Sequence, residues 1–468
     1  MKENKWIKVP ESGRKDSGVS TTRLIAGSFL FAILAGTLLL MLPVSSAEGT
    51  MTYPVDALFT ATTSICVTGL VTVVTAVHWS LFGKLVIMCL AQLGGLGVIT
   101  VVTMFLILLG KKITLKERML ISEVYNLGEL KGMVFLVRRI VTGTLIVEMI
   151  GFFLYSMVFV PEYEWGRGLF YALFHSVSAF CNAGMDILGE ESLVLYALNP
   201  LVNFTTMFLI IMGSLGFPVW WDLLDSLRNG RKKKTPARKI MKRWKLHTKL
   251  ALCMTACLIV VPAILFFLFE YNNPGTIGNF SLAGKIQASL FQSVTTRTAG
   301  FASVDQGQLT NASSLLTMIL MFIGGSPAGT AGGMKTTTIA ILFCTVFSMA
   351  RGRNATTMFG RRIPTEIVRS ALCIVVLGLS TLSISCMCLM AVEDISFLDI
   401  MFEVISALGT VGLSRGITGE LCTFSKLILV LTMYIGRIGP ITMVVAILRR
   451  GQKNSVKYMM PEERVIVG

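Results

Sequence analysis

Charge is scarce in this chain: Asp, Glu, Lys and Arg make up 15% of its 468 residues, against roughly 25% in a soluble domain. With 53% hydrophobic residues and a mean hydropathy of +0.72, that deficit excludes a water-soluble globular fold. Histidine is nearly missing: His78, His175 and His247 stand far apart. The ten cysteines lie mostly within apolar runs and form no CxxC pair. Neither a zinc site nor a disulfide framework is supported, and a buried Cys serves by default as a small hydrophobe. No acid/base or metal-ligand cluster points to an enzyme. No GxGxxG follows a strand pattern, so a dinucleotide-binding fold is not indicated.

What is abundant is apolar sequence. Several runs reach the ~20 residues needed to cross a bilayer as a helix, beginning with Leu24 to Val44. That first run follows a polar segment and shows no small-residue cleavage site, so it reads as a retained span and not a signal peptide. The net charge of +16 does not indicate a nucleic-acid partner, because the basic residues gather in alternate loops. Lys111, Lys112, Lys116 and Arg118 fill one, 228–249 (RNGRKKKTPARKIMKRWKLHTK) a second, and Arg351, Arg353, Arg361 and Arg362 a third. The loops between them are poor in Lys and Arg; 43–56 has none, and 161–192 has only Arg167. The positive-inside rule then places both termini in the cytoplasm. The 228–249 segment reads as a topological anchor that meets anionic membrane lipid, or as a docking surface for a cytoplasmic partner.

The chain also repeats itself. SICVTGL (64–70), AFCNAGM (179–185), TTRTAGF (295–301) and ALGTVGL (407–413) align without gaps, and their shared glycines, Gly69, Gly184, Gly300 and Gly412, are 115, 116 and 112 residues apart. Phe59, Phe174, Phe291 and Phe402 precede them by ten, ten, nine and ten residues. The run between each Phe and its glycine is too short to span a membrane, so each is expected to be a re-entrant pore helix ending at the glycine. Downstream, QLGGLGV, IMGSLGF, FIGGSPA and YIGRIGP bring Gly94, Gly213, Gly324 and Gly436 into register. The expected fold is an all-α integral membrane protein with pseudo-fourfold symmetry: four outer helix, pore helix, inner helix repeats, eight transmembrane helices and four re-entrant loops. The repeats fall at 22–109, 134–224, 247–349 and 366–448 of a single domain, 1–468, with a cytoplasmic N-terminal segment, 1–21, and C-terminal tail, 449–468.

Four re-entrant loops around one axis suit one task. Irregular backbone at membrane depth is tolerated where it lines a water-filled path, and rings of carbonyls can replace a cation's hydration shell. Glycine permits φ > 0, so successive carbonyls can face one axis. Pore-helix C-termini add roughly half a negative charge each. The expected ligands are the carbonyls of Val67 and Thr68, Asn182 and Ala183, Thr298 and Ala299, and Thr410 and Val411, with Gly69, Gly184, Gly300 and Gly412 beside them. The side chains differ between units, which favours carbonyl chemistry, although Asn182 can place an amide oxygen in the pore or form a turn.

On CVTGL, CNAGM, RTAGF and GTVGL, SPAGTAGGMKTTT, YIGRIGP and the ending PEERVIVG, the sequence resembles, over essentially its whole length, the membrane subunit of the Trk/Ktr potassium transporters. Eight crossings with no extra N-terminal pair are similar to the Ktr type. All four filter glycines are present, and the first-position Ser that accompanies sodium transport in related plant carriers is absent. The resemblance implies potassium uptake across a bacterial plasma membrane. It implies a homodimer and a cytoplasmic ring of nucleotide-binding RCK subunits, with the basic loops and the PEERVIVG tail as contact surfaces. No cofactor is implied in this chain. The resemblance implies potassium as the transported ion, sodium as an activator, and a nucleotide held by the partner.

The stretch from Ile323 to Thr338, IGGSPAGTAGGMKTTT, looks at first like a phosphate loop. A P-loop, however, places Lys directly after its last Gly, and here Met334 separates Gly333 from Lys335. Pro327 among Gly324, Gly325, Gly329, Gly332 and Gly333 cannot sustain a helix. The expected result is a break in the third inner helix just under the filter, giving an intramembrane loop that blocks the pore and moves. GxxxG packing is the alternative. Arg437 occupies the position held by Gly95, Ser214 and Gly325 in the other units. An Arg within a span costs a few kcal/mol on insertion scales and marks a functional position; the resemblance places an Arg there too, expected to repel a cation or to hold the loop. Arg297 is expected to be exposed at the outer end of the third filter loop. Two other transport functions compete: a less selective Na+/K+ transporter, and an alternating-access carrier of another solute. A carrier needs inverted repeats and intramembrane acids, of which Glu148 is the main example.

Overall fold

The computed structural model describes residues 21–111, 113–114, 117–120, 132–189, 192–232, 236–353, 355–439 and 442. Apart from a two-residue hairpin, Thr357–Met358 paired with Arg361–Arg362, and isolated bridges, the described elements are helices. The outer helices are Thr21–Met41, Met133–Tyr163, Leu246–Glu270 and Thr365–Met390. All four are long and apolar enough to cross a membrane.

Between outer and inner helices lie the four pore helices, Pro54–Cys66, Trp165–Cys181, Leu282–Thr295 and Phe397–Gly409. Their starts are written locally. Pro54 supplies a preset φ at the first turn, while Ser281 and Ser396 accept from the amides of Gly284 and Asp399. Phe59, Phe174, Phe291 and Phe402 are all buried and anchor the pore helices in the core. The first pore helix packs on the first outer and inner helices and on the fourth inner helix, so the last unit closes back on the first. An ion pair of 3.2 Å between Lys426 and Asp56 ties that same seam.

The inner helices that close the repeats 22–109 and 134–224 are not continuous. The first divides into Leu81–Leu96 and Val98–Leu108, bent by 98°, and the second into Pro200–Ser214 and Phe217–Lys232, bent by 95°. The third comprises Asn311–Phe322 and Thr336–Ala350, and the fourth ends at Ile438. Breaking is therefore not confined to the third unit. Gly97, Gly216 and Gly439, each three residues after an aligned inner-helix glycine, adopt φ of 83°, 85° and 93°. A side chain disfavours that left-handed region, and it ends an α-helix. By length and composition the described residues hold four spanning helices, or up to six if each bent pair counts as one. The tail, 449–468, and all but the last residue of 1–21 lie outside the described residues.

Candidate functional site

Each pore helix stops at the glycine motif. The first, second and fourth end at Val67, Asn182 and Thr410, whose φ of 55°, 60° and 50° are left-handed. The following amide turns back to a carbonyl five residues earlier: Thr68 N to Thr63 O, Ala183 N to Ser178 O and Val411 N to Ser406 O, each at 2.8 Å. These are the capping bonds of a Schellman turn. In the third unit Thr298 has φ 63°, but Ala299 N bonds to Thr295 O at 3.0 Å, four residues back. That unit is one residue shorter, which explains why Phe291 precedes its glycine by nine residues and not ten. The ungapped alignment of TTRTAGF is thereby corrected: Thr295 corresponds to Thr63, Ser178 and Ser406.

Those four hydroxyls are a feature the sequence reading missed. Thr63 Oγ1 accepts from Gly69 N at 2.9 Å and Ser406 Oγ from Gly412 N at 3.0 Å. Ser178 Oγ donates to Met185 O and Thr295 Oγ1 to Phe301 O, both at 2.6 Å. Each ties the last turn of a pore helix to the backbone of the glycine or of the residue after it.

The four loops meet in a closed cycle. A methyl group added at Gly69 would lie 2.7 Å from Ala183 O, and one at Gly184 would lie 2.6 Å from Ala299 O. The methyl of Gly300 would strike Val411 O, and that of Gly412 would strike Thr68 O. Every glycine thus faces the carbonyl that precedes the next unit's glycine, in the order one, two, three, four, one. The side chains of Val67, Thr68, Asn182, Ala183, Thr298, Ala299, Thr410 and Val411 are all buried. The structure therefore brings all twelve predicted filter residues into one ring. Left-handed backbone at Val67, a β-branched residue, costs on the order of 1–3 kcal/mol and persists only where the surroundings impose it. Asn182 Nδ2 lies 3.5 Å from Thr298 Oγ1, while Asn182 Oδ1 and Thr410 Oγ1 have no hydrogen-bond partner among the described residues.

On one side of the ring, a cavity of about 490 Å³ is lined by the four glycines together with Asp186, Asp305 and Arg415. The Arg415 charge is engaged. Its Nε donates to Asp399 Oδ1 at 2.5 Å, and its other nitrogens donate to Gln306 O, Ser314 Oγ and Gly307 O at 3.0–3.1 Å, stapling the fourth filter loop to the third unit. Glu403, buried in the fourth pore helix, accepts from Ser414 Oγ and, at 3.1 Å, from Thr418 Oγ1. Sequence reasoning passed over both residues, since lone charges carry no spacing signal. With Arg415 paired, the mouth favours cations. Burial pushes the Asp186 carboxyl up to about 6, against the pull of hydrogen bonds from Ser192 and from the Leu188 and Gly189 amides. It is charged above that value and neutral below it. Acidifying this side from about pH 7 to about pH 5 is expected to lower cation flux roughly 2- to 5-fold at low ionic strength. The midpoint should lie near 6, and Asp186→Asn should abolish the step; a step that survives in this variant assigns the titration to another group.

On the other side, the loop between Phe322 and Thr336 lies directly against the ring. A methyl at Gly332 would strike Thr410 Oγ1, and one at Gly333 would lie 2.9 Å from Gly409 O. Thr330 is the loop's best-anchored residue: its N donates to Gly213 O and its Oγ1 to Phe180 O, both at 3.0 Å. Ser326 N donates to Ser214 O at 2.9 Å, and Phe217 N donates to Ala328 O at 3.0 Å. Gly216 sits against Pro327 O, and Gly329 packs on Gly213 and Gly216, so the loop rests on the bend of the second inner helix. Gly324 N and Thr336 N close it upon itself through Met334 O at 2.7 Å and Gly325 O at 3.0 Å. These amides face protein carbonyls, an arrangement that does not cradle phosphate. Lys335 Nζ likewise bonds within the loop, to Ala331 O at 2.7 Å.

Arg437 completes the anchoring. Nη1 donates to Thr330 O at 2.5 Å, and Nη2 donates to Gly94 O in the first inner helix. These bonds link the fourth inner helix to the loop and to the first inner helix. Gly94, Gly95, Gly213 and Gly436 permit close approach of the inner helices: methyls there would strike Ile65 O, Cys181 Sγ, Phe180 O and Leu408 O. A second cavity, of about 240 Å³, is lined by Gly329, Ala331, Lys335, Arg437 and Gly95–Ile99. All eight predicted gate residues thus converge beneath the ring. Arg297 is corrected: it is buried, with Nη2 3.4 Å from Thr255 Oγ1, because its side chain turns back toward the third outer helix. Glu148 is buried and accepts from Gln92 Nε2 at 3.2 Å.

The sequence profile of a family described as TrkH, cation transport protein, matches residues 3–458. The chain is 39% identical over 454 residues to the potassium/sodium uptake protein NtpJ of Enterococcus hirae, covering 96% of this chain and 98% of that one. It is 40% identical over 446 residues to the Ktr system potassium uptake protein B of Bacillus subtilis, covering 95% and 96%. The crystal structure of the potassium transporter TrkH from Vibrio parahaemolyticus superposes with a TM-score of 0.74 at 17% identity, covering 93% of this chain and 86% of that one.

Proposed function

This chain belongs to the TrkH family of cation transport proteins, and from that membership we propose that it takes up potassium across the plasma membrane through the ring of filter carbonyls, with the 323–338 loop as its gate. One observation carries the reading: the cyclic contact of each filter glycine with the carbonyl of the next unit. A cation entering the mouth past Asp186 exchanges water for the carbonyls of Val67 and Thr68, Asn182 and Ala183, Thr298 and Ala299, and Thr410 and Val411. The free side-chain oxygens of Asn182 and Thr410 offer two further ligands at the lower edge of the ring. The loop then bars passage until its hydrogen bonds to the second inner helix and to Arg437 are released. The four inner helices complete eight crossings, with both termini cytoplasmic. The chain works as a homodimer on a ring of nucleotide-binding RCK subunits, with sodium as activator. The names of relatives that take up potassium, or potassium and sodium, support the choice of ion.

The test is flux through the purified full chain in liposomes, potassium against sodium at matched gradients. Potassium-preferring flux is expected. Equal rates for the two ions would replace this reading with that of an unselective monovalent cation transporter. No cation flux from the folded, oriented chain, with or without a regulatory ring, would remove the pore mechanism altogether.

A further inference from the structure

The half-helix Phe217–Lys232 leaves the second inner helix at 95°. Trp220, Trp221 and Leu224 mark its apolar side, and Arg228, Arg231 and Lys232 lie toward its end. That is the pattern of a helix lying in the membrane interface, where Trp is enriched and basic residues face headgroups. Between it and the second outer helix runs a groove of about 710 Å³ lined by Ile146, Trp220, Trp221 and Leu224, with Arg138 and Arg139 toward the start of the outer helix. Gly143 admits the indoles: a methyl there would lie 3.3 Å from Trp220 and 3.5 Å from Trp221.

Two features of the groove call for an anion with an apolar tail. The exposed Arg138 stands beside Arg139, whose guanidinium is held 4.3 Å over the Phe135 ring and 5.0 Å over the Trp221 ring, with Asp225 at 3.7 Å, so two cations and one acid mark the groove wall. The remaining lining is largely apolar.

We propose that this groove binds one anionic glycerophospholipid of the cytoplasmic leaflet, with its phosphate at Arg138 and Arg139 and an acyl chain along Ile146, Trp221 and Leu224. The leaflet follows from the proposed orientation of the chain. A second copy of the chain is disfavoured as occupant, because a twofold contact would set the arginines against their own copies. The basic 228–249 segment draws the same headgroups to this face. Met212 and Leu215 line the groove and lie beside the bend on which the 323–338 loop rests, so the lipid touches the element that seats the gate.

Tryptophan quenching tests this on the full chain reconstituted in phosphatidylcholine vesicles. The signal of Trp220 and Trp221, isolated by difference against a Trp220→Phe/Trp221→Phe variant, should be quenched by brominated phosphatidylglycerol with roughly 10-fold higher apparent affinity than by brominated phosphatidylcholine. Arg138→Gln combined with Arg139→Gln should bring the two lipids to parity, and Gly143→Leu should abolish quenching by both. Because a groove-filling variant can fail to fold, the arginine pair, checked by circular dichroism, carries the decision independently. Equal affinity for the two lipids in the native chain would overturn the proposal, as would quenching that is lost whenever the chain is crosslinked as a dimer, since a second copy then covers the groove.

Discussion

Gly184→Ala is expected to cut potassium flux by about 10- to 100-fold and to erase the preference over sodium, in a protein that still folds. The estimate rests on two effects at one atom. Gly184 has φ 65°, a region where a side chain costs roughly 1–2 kcal/mol. The added methyl would also lie 2.6 Å from Ala299 O and 2.9 Å from the Gly300 Cα. Both are backbone atoms of the neighbouring loop, so relief requires the ring itself to open. Displaced carbonyls no longer replace a hydration shell in full, and a loss of 1–3 kcal/mol, the range for a buried polar group left unsatisfied, corresponds to that factor in rate. Gly166→Ala is the control, since its methyl would meet nothing within 4 Å. The measurement is rubidium and sodium flux in vesicles at matched protein density. Unchanged selectivity in a folded Gly184→Ala protein would mean that ions do not pass this ring.

The repeat made the ring legible, because a period of 115, 116 and 112 residues must place equivalent glycines at equivalent heights around an axis. The outer helices followed from length and hydropathy alone, and each begins within one residue of its repeat start at 22, 134, 247 or 366. What stayed hidden has a common physical cause. Gly97, Gly216 and Gly439 stand within apolar runs, and only the backbone shows their positive φ. Pro327 and its neighbouring glycines announced the third break because Pro removes a donor, whereas a lone Gly lowers helix stability by only about 1 kcal/mol. The shorter third unit hid the register of Thr295. Arg297 was misplaced because nearness in sequence to the outer mouth does not fix where a long side chain turns. Glu403 and Arg415 act through contacts with residues 11–15 or about 100 positions away, which no local pattern encodes.

A few contacts around Thr330 hold the 323–338 loop under the ring. Deleting Gly329–Gly333 removes Thr330, and with it the bonds to Gly213 O, Phe180 O and Arg437. It also removes Gly332 and Gly333, which abut Thr410 and Gly409 at the floor of the ring. Flux is expected to rise at least ~10-fold, with selectivity kept, because the twelve ring residues are untouched. Arg437→Gln is the finer test. Its bond to Thr330 O is charge-assisted, and such a bond contributes about 1.5–3 kcal/mol net, so losing it shifts the closed-to-open balance toward open by about 10- to 100-fold. The bond to Gly94 O is lost as well, which loosens the first inner helix at its bend and adds some instability to the variant. Thermal unfolding of the detergent-solubilised variant separates that effect from gating. The two variants should raise flux in the same direction, the deletion more. If the deletion conducts no faster than the native chain, the loop does not limit passage, and its hydrogen bonds serve to brace the bend of the second inner helix.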